Sequence, residues 1–206
     1  MPMRLNPLRI SRNAFVVLLL LQTVFCRGQS AADGQEFHSK EFDWTISIPN
    51  GFVKMADSTQ AKMQQKGTDL IEKAYDMKVD NQAKTMCAFR SDPFHYFEAN
   101  YQPFDVAKDG DYETTFKGVS DILYGTFVAN MPKTRLDSSF GREIVAGKEF
   151  HVFHVTIYIT PQVTMHMLMY SRLFGKREFT VTILYVDEAK GKALLEAWRQ
   201  SHFGKS

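Results

Sequence analysis

Only two of the 206 residues are cysteine, Cys26 and Cys87, and Cys26 lies in an N-terminal segment that reads as removable. With that segment gone no intramolecular disulfide can form, so the fold has to hold on burial alone. Nor is there an apolar run of the roughly 18 to 20 residues that a membrane-spanning helix needs. Charge of one sign is lacking too. The first thirty residues hold Arg4, Arg9, Arg12 and Arg27 and no acid, so the rest of the chain carries 21 basic residues against 23 acidic ones. A near-neutral domain without a Lys/Arg run lacks the electrostatic footprint of a nucleic-acid binder, and none is expected as a partner. G-x-S-x-G, P-loop, dinucleotide-binding glycine and H-E-x-x-H patterns are all absent. No cofactor and no enzymatic activity are therefore expected.

What is present begins with a targeting pattern. Three arginines precede the apolar stretch Ala14–Phe25, 12 residues long, and small residues come after it. That is the layout of a secretory signal peptide, with cleavage expected after Gly28, Ser30 or Ala32. Residues 1–30 are thus read as signal peptide and 31–206 as one extracytoplasmic domain, periplasmic or secreted, since no Pro/Gly/Ser linker or repeat divides it. Cys26 stands where a lipid-modified cysteine would, but bulky Phe25 occupies a place where a lipobox wants a small residue. A lipid anchor at Cys26 is the alternative to a freely released chain.

The chain is organised around Val163–Val186, two alternating strands joined at Gly175-Lys176. Two registers are open. A two-residue type II′ loop sets Leu168 and Tyr170 beside Val181 and Ile183, with Met165, Met167 and Met169 on the other face. A bulged three-residue loop gathers the methionines with Val181 and Ile183 instead. Both leave apolar side chains on each face, so cover is expected on both sides.

Earlier, Phe42, Trp44, Ile46 and Ile48 alternate through Glu41–Pro49 as a strand with one buried face. Asp57 and Gln60 suggest a capping box opening a helix to about Tyr75, with Met63, Leu70, Ile71 and Ala74 inward. Lys84–Arg90 and Phe94–Tyr101 read as strands across Ser91-Asp92-Pro93. Tyr112, Phe116, Val119, Leu123 and Phe127 share a helix face that ends at Asn130-Met131-Pro132. Asp137–Val145 and Glu149–Thr160 form a hairpin whose second arm has no polar face, the pattern of a central strand covered on both sides. Asp187 caps a last helix with Leu194, Ala197, Trp198 and Ser201 on one side and Arg199 and His202 at its end.

Seven strands and three helices in this order resemble the PsbP/DcrB-like superfamily, which includes a Ran-binding Mog-type branch. The resemblance rests on Thr45-Ile-Ser-Ile-Pro49-Asn-Gly51-Phe52, on the turn Gly147–Phe150, and on the closing hairpin plus helix. It implies an α+β domain with a mainly antiparallel central sheet of about seven strands covered by helices on both faces, and it is most similar to exported bacterial members. Members differ too widely in role for the fold to choose a function.

Candidate chemistry is sparse. Met165, Met167 and Met169 alternate as Cu(I)-binding thioethers would, yet methionine is also an ordinary filler of cores and packing is the expected role. His166 points away from them. His151 and His154, three apart on a strand, face opposite ways and are not expected to chelate one ion. His95 lies near Asp92 and Glu98 in sequence, a conceivable hydrolytic grouping without a nucleophile. Cys87 reads as a buried small hydrophobe. The expectation is an exported, non-enzymatic protein that binds a protein partner or the cell envelope. A binder of a small ligand or copper, through the methionines or an apolar pocket, is the alternative.

Overall fold

A computed structural model describes residues 35–76 and 78–204. Signal segment, cleavage sites and Cys26 lie outside the described residues. The elements are β1 (Glu36–Ser39), β2 (Trp44–Ser47), β3 (Val53–Lys54), α1 (Asp57–Tyr75), β4 (Lys84–Asp92), β5 (His95–Pro103), α2 (Val106–Asp109), α3 (Tyr112–Asn130), β6 (Arg135–Val145), β7 (Lys148–Thr160), β8 (Val163–Phe174), β9 (Arg177–Tyr185), α4 (Glu188–Gln200) and β10 (His202–Phe203). Seven strands make one antiparallel sheet in the order β3-β4-β5-β9-β8-β7-β6. A second sheet, β1-β2-β10, is also antiparallel.

The hairpin β8–β9 lies at the middle of the large sheet, as its two-faced apolar pattern requires. Its loop is the two-residue form: Phe174 pairs with Arg177, and Gly175 takes φ 60°, a conformation that glycine adopts without steric penalty. Tyr170 therefore opposes Val181 and Leu168 opposes Ile183, while Met167 opposes Leu184 on the other face. Each face has its own core. On one, α1 and α3 close over Met165, Met167, Met169, Phe153, Val155 and Ile157, with Phe116, Leu123 and Phe127 contributed by α3. On the other, α4 and the small sheet close over Phe89, Phe97, Phe150, Tyr170, Phe179 and Val181, with Trp44 and Trp198 at the centre.

Several local expectations need correction. The capping box at Asp57 does not form: Ala56 is the N-cap, its carbonyl accepts the Gln60 N–H at 3.1 Å, and Asp57 already lies in the first turn. Its carboxylate there still favours the helix dipole. The strand expected over Glu41–Pro49 starts only at Trp44, because Asp43 adopts φ 47° and folds the chain back onto β1. His202 is not helical. The last helix stops at Gln200, and His202 and Phe203 pair with Thr45 and Trp44 of β2. Finally, β7 is not a central strand; among the described residues it is second from the edge, with β6 beyond it. Its Phe153, Val155 and Ile157 are buried, but Val152, His154, Thr156 and Tyr158 on the α4 side are only half-buried.

Candidate functional site

Three polar groupings and one open face are the places where chemistry or recognition can reside. The first joins the β4–β5 turn to the start of α4. His95, 6% exposed, donates from Nδ1 to Asp92 at 2.7 Å and accepts at Nε2 from the Asp187 N–H at 2.8 Å. Both ring nitrogens are therefore committed. Asp92 also accepts from Lys190 Nζ at 2.6 Å, from the Phe94 N–H at 2.8 Å and from the Ser91 hydroxyl at 3.0 Å. Burial alone would raise the Asp92 carboxyl, but the hydrogen bonds from Lys190, His95, Phe94 and Ser91 outweigh it and hold the group well below the usual carboxylate range. Asp187 in turn caps α4 by accepting the Lys190 N–H at 2.9 Å. This grouping is a latch for α4, and it leaves His95 with no lone pair to act as a general base.

Glu98 does not join it. Successive strand residues face opposite ways, so Glu98 points under α1 while His95 points toward α4. Fully buried there, it accepts from Tyr96 at 2.5 Å, Thr85 at 2.9 Å and Gln64 at 3.0 Å. Gln64 also bonds Thr85. The same face carries Glu178, which accepts from Gln102 at 2.6 Å and Ser171 at 2.7 Å, with Tyr112 of α3 bonded to Ser171 at 2.8 Å. Burial raises the Glu178 carboxyl above its ordinary value against the opposing pull of Gln102 and Ser171. These networks tie α1 and α3 to the sheet.

The methionine stripe lies wholly inside the α1/α3 core, Met165 at 6%, Met167 at 1% and Met169 at 4% exposure. Its members belong to the buried apolar cluster on that face and act as filler. Cys87 is buried on the opposite face, where burial pushes its thiol up to about 12 and keeps it from forming a reactive thiolate. Among the described residues no group of three or more His, Cys, Asp or Glu is placed to hold a metal ion.

The open face is a corner of the sheet that α4 leaves uncovered. The helix starts beside Tyr185 and His95 and ends with Trp198 on Phe150 and Tyr170 and Arg199 on Glu143 at 2.7 Å. Beyond its flank, Thr164, His166 and Leu168 of β8 and Val152, His154, Thr156 and Tyr158 of β7 are half-buried, and Arg135, Asp137, Ser139 and Gly141 of β6 are exposed. Cross-strand register puts them together: Arg135 opposes Tyr158, Ser139 opposes His154, and Thr156 opposes His166. The Arg135 guanidinium lies 4.5 Å from the Tyr158 ring centre and pairs with Asp137 at 2.8 Å. A hydrogen bond from Tyr158, helped by Arg135, lowers the Asp137 carboxyl. His154 and His166 meet ring to ring, and His166 stacks on Tyr185 with centroids 4.9 Å apart. Burial, then the neighbouring His166, lowers the His154 imidazole below its ordinary value. The sequence signal for the meeting was available only in part. Opposite faces for His151 and His154 are correct, but which strand's histidine lies beside His154 is a matter of register.

At the edge of this corner runs β6, eleven residues paired to β7 without a bulge and unpaired on its outer side among the described residues. On its other face Phe140 and Ile144 are 49% and 72% exposed. No described helix is long and apolar enough to cross a membrane.

No protein-family model matches the sequence, and no curated protein matches it significantly. Solved structures do. The solution structure of cyanobacterial PsbP (CyanoP) from Synechocystis sp. PCC 6803 is similar at a TM-score of 0.50 and 9% identity, over 87% of this chain and 98% of that one. A Mog1 variant matches at 0.41 and 10% identity over 85% and 98%, and the Saccharomyces cerevisiae Ran-binding protein Mog1p at 0.40 and 12% over 84% and 96%. With its seven-stranded antiparallel sheet between α1/α3 and α4, the chain has the PsbP-like α+β sandwich fold.

Proposed function

We propose that this is an exported, non-enzymatic protein that captures an extended segment of a protein partner along β6. The observation that carries the reading is β6 itself, an eleven-residue edge strand, regular, free of proline and exposed along most of its length. Edges of this kind are usually blunted by bulges or proline, because their outer N–H and C=O groups template another strand. An added strand would take main-chain hydrogen bonds from that edge. Its side chains would alternate between Phe140 and Ile144 on one face and the Tyr158 and His154 corner on the other. Export rests on Arg4, Arg9 and Arg12 ahead of the apolar stretch Ala14–Phe25.

The test is capture from the envelope fraction of the cells that make the protein, then hydrogen exchange on the purified complex. Ser139→Lys with Ile144→Lys is expected to cut capture at least tenfold, and Val106→Lys, at a site 62% exposed elsewhere, to leave it unchanged. Partner binding is expected to protect β6 amides. Capture that survives the β6 variant, or protection confined to other elements, would refute the reading.

A further inference from the structure

His154 and His166 come from neighbouring strands, and their facing nitrogens, Nε2 and Nδ1, are 3.0 Å apart. In the free protein one of these donates to the other. The same separation also suits two donors on one metal ion. With metal–nitrogen bonds of about 2.0–2.1 Å, nitrogens so placed subtend an angle of about 95°, whereas a tetrahedral ion needs them roughly 3.3 Å apart. A right angle between adjacent nitrogen ligands belongs to tetragonal Cu(II) and Ni(II) sites, and Cu(II) leads the affinity order for such donors.

The surroundings prepare the pair. Tyr185, stacked at 25° to the His166 ring, holds its plane. Glu188 Oε1 lies 3.6 Å from His166 Nε2, the nitrogen that faces away from His154. A carboxylate there favours the tautomer protonated at Nε2, so Nδ1 accepts from His154 Nε2–H in the free protein, and Cu(II) binding requires that proton to pass to His154 Nδ1. Both rings are half-buried on the uncovered corner of the sheet, so solvent can supply the remaining ligands of a tetragonal ion.

We propose that His154 Nε2 and His166 Nδ1 form a Cu(II) site on this face, with Glu188 as its positioning residue and water in the remaining positions. The site is separate from the methionine core on the opposite face, and because His154 borders the corner that a strand on β6 would reach, Cu(II) binding is read on the free protein.

The experiment is titration of the full chain with Cu(II) against glycine as competing chelator, read by electron paramagnetic resonance and by thermal unfolding. Wild type is expected to show a tetragonal signal with superhyperfine splitting from two imidazole nitrogens, and a raised Tm. His154→Ala and His166→Ala are each expected to weaken binding at least tenfold, and Glu188→Gln about tenfold. Met165→Leu/Met167→Leu/Met169→Leu is expected to bind as wild type does. The apo Tm of each variant separates lost folding from lost binding, and the splitting on wild type needs no variant. A spectrum without two-nitrogen splitting, or a His154→Ala/His166→Ala double variant that competes as well as wild type, would show the pair to be hydrogen-bonded only.

Discussion

Asp92→Asn is the sharpest test of how α4 is held. The carboxylate accepts four hydrogen bonds, from Lys190, His95, Phe94 and Ser91. An amide can keep those at one oxygen but turns its NH₂ toward Lys190 or His95, donor against donor. The Lys190 pair is worth little, since its side chain is 43% exposed and such pairs contribute roughly 0–1 kcal/mol. His95 matters more: its ring is 8% exposed, and a buried donor left without its partner costs about 1–3 kcal/mol. The expected loss is therefore about 1–4 kcal/mol near pH 6, or roughly 2–16 °C in Tm for a domain of this size. The pH dependence has a definite sign. Because the folded Asp92 carboxyl is held below its unfolded value near 3.9, its stabilisation is present above that value and lost as pH falls below it. Urea unfolding monitored by fluorescence of the buried Trp44 and Trp198 should show the gap between wild type and variant narrowing from pH 6 to pH 3. A gap below about 0.5 kcal/mol at pH 6, or one of the same size at pH 3, would refute the latch. Lys190→Met should cost no more than about 1 kcal/mol.

Glu178→Gln should move stability the opposite way with pH: the folded carboxyl is raised by burial, so its contribution is full below the unfolded value and lost as pH rises. The variant should gain relative to wild type between pH 4 and pH 7, and a parallel pair of urea midpoints across that range would count against it. Gly191→Ala should destabilise by about 1–3 kcal/mol, although helix propensity alone favours alanine, because the new methyl would overlap the Tyr185 ring; a raised Tm would contradict the close approach of α4. Ala146, at φ 50° beside Gly147 at φ 73°, occupies the first position of a type I′ turn, where asparagine is preferred. Ala146→Asn is expected to stabilise by about 0.5–1 kcal/mol in thermal melts, and a loss would show that the turn is not of this type.

Much of this architecture was legible because buried strands and helices write their period into the chain. Val163–Val186 alternates on both faces and proves to be the sheet centre, and the spacing of Phe116, Leu123 and Phe127 marks the buried side of α3. Asp187 was legible as a cap, since a carboxylate just ahead of an amphipathic run has an evident amide to accept from. The short strands β1, β3 and β10 were not. Two to four residues carry no period, and these segments become strands only because β2 or β4 lies alongside.

By itself the sequence determined the features that local stereochemistry dictates: the long helices and strands, the turns between them, and which residues of a strand share a face. Tertiary structure alone decided which strands are neighbours and where cover ends. It chose between the two hairpin registers by sending the methionines under α1 and α3 and Tyr170 under Trp198, and it separated Glu98 from His95. It also made β7 a half-open strand instead of a central one, and so placed His154 against His166. The physical reason is that alternation of side chains constrains one strand at a time. Order and register are set by burying both faces of the sheet at once, through contacts between residues far apart in the chain.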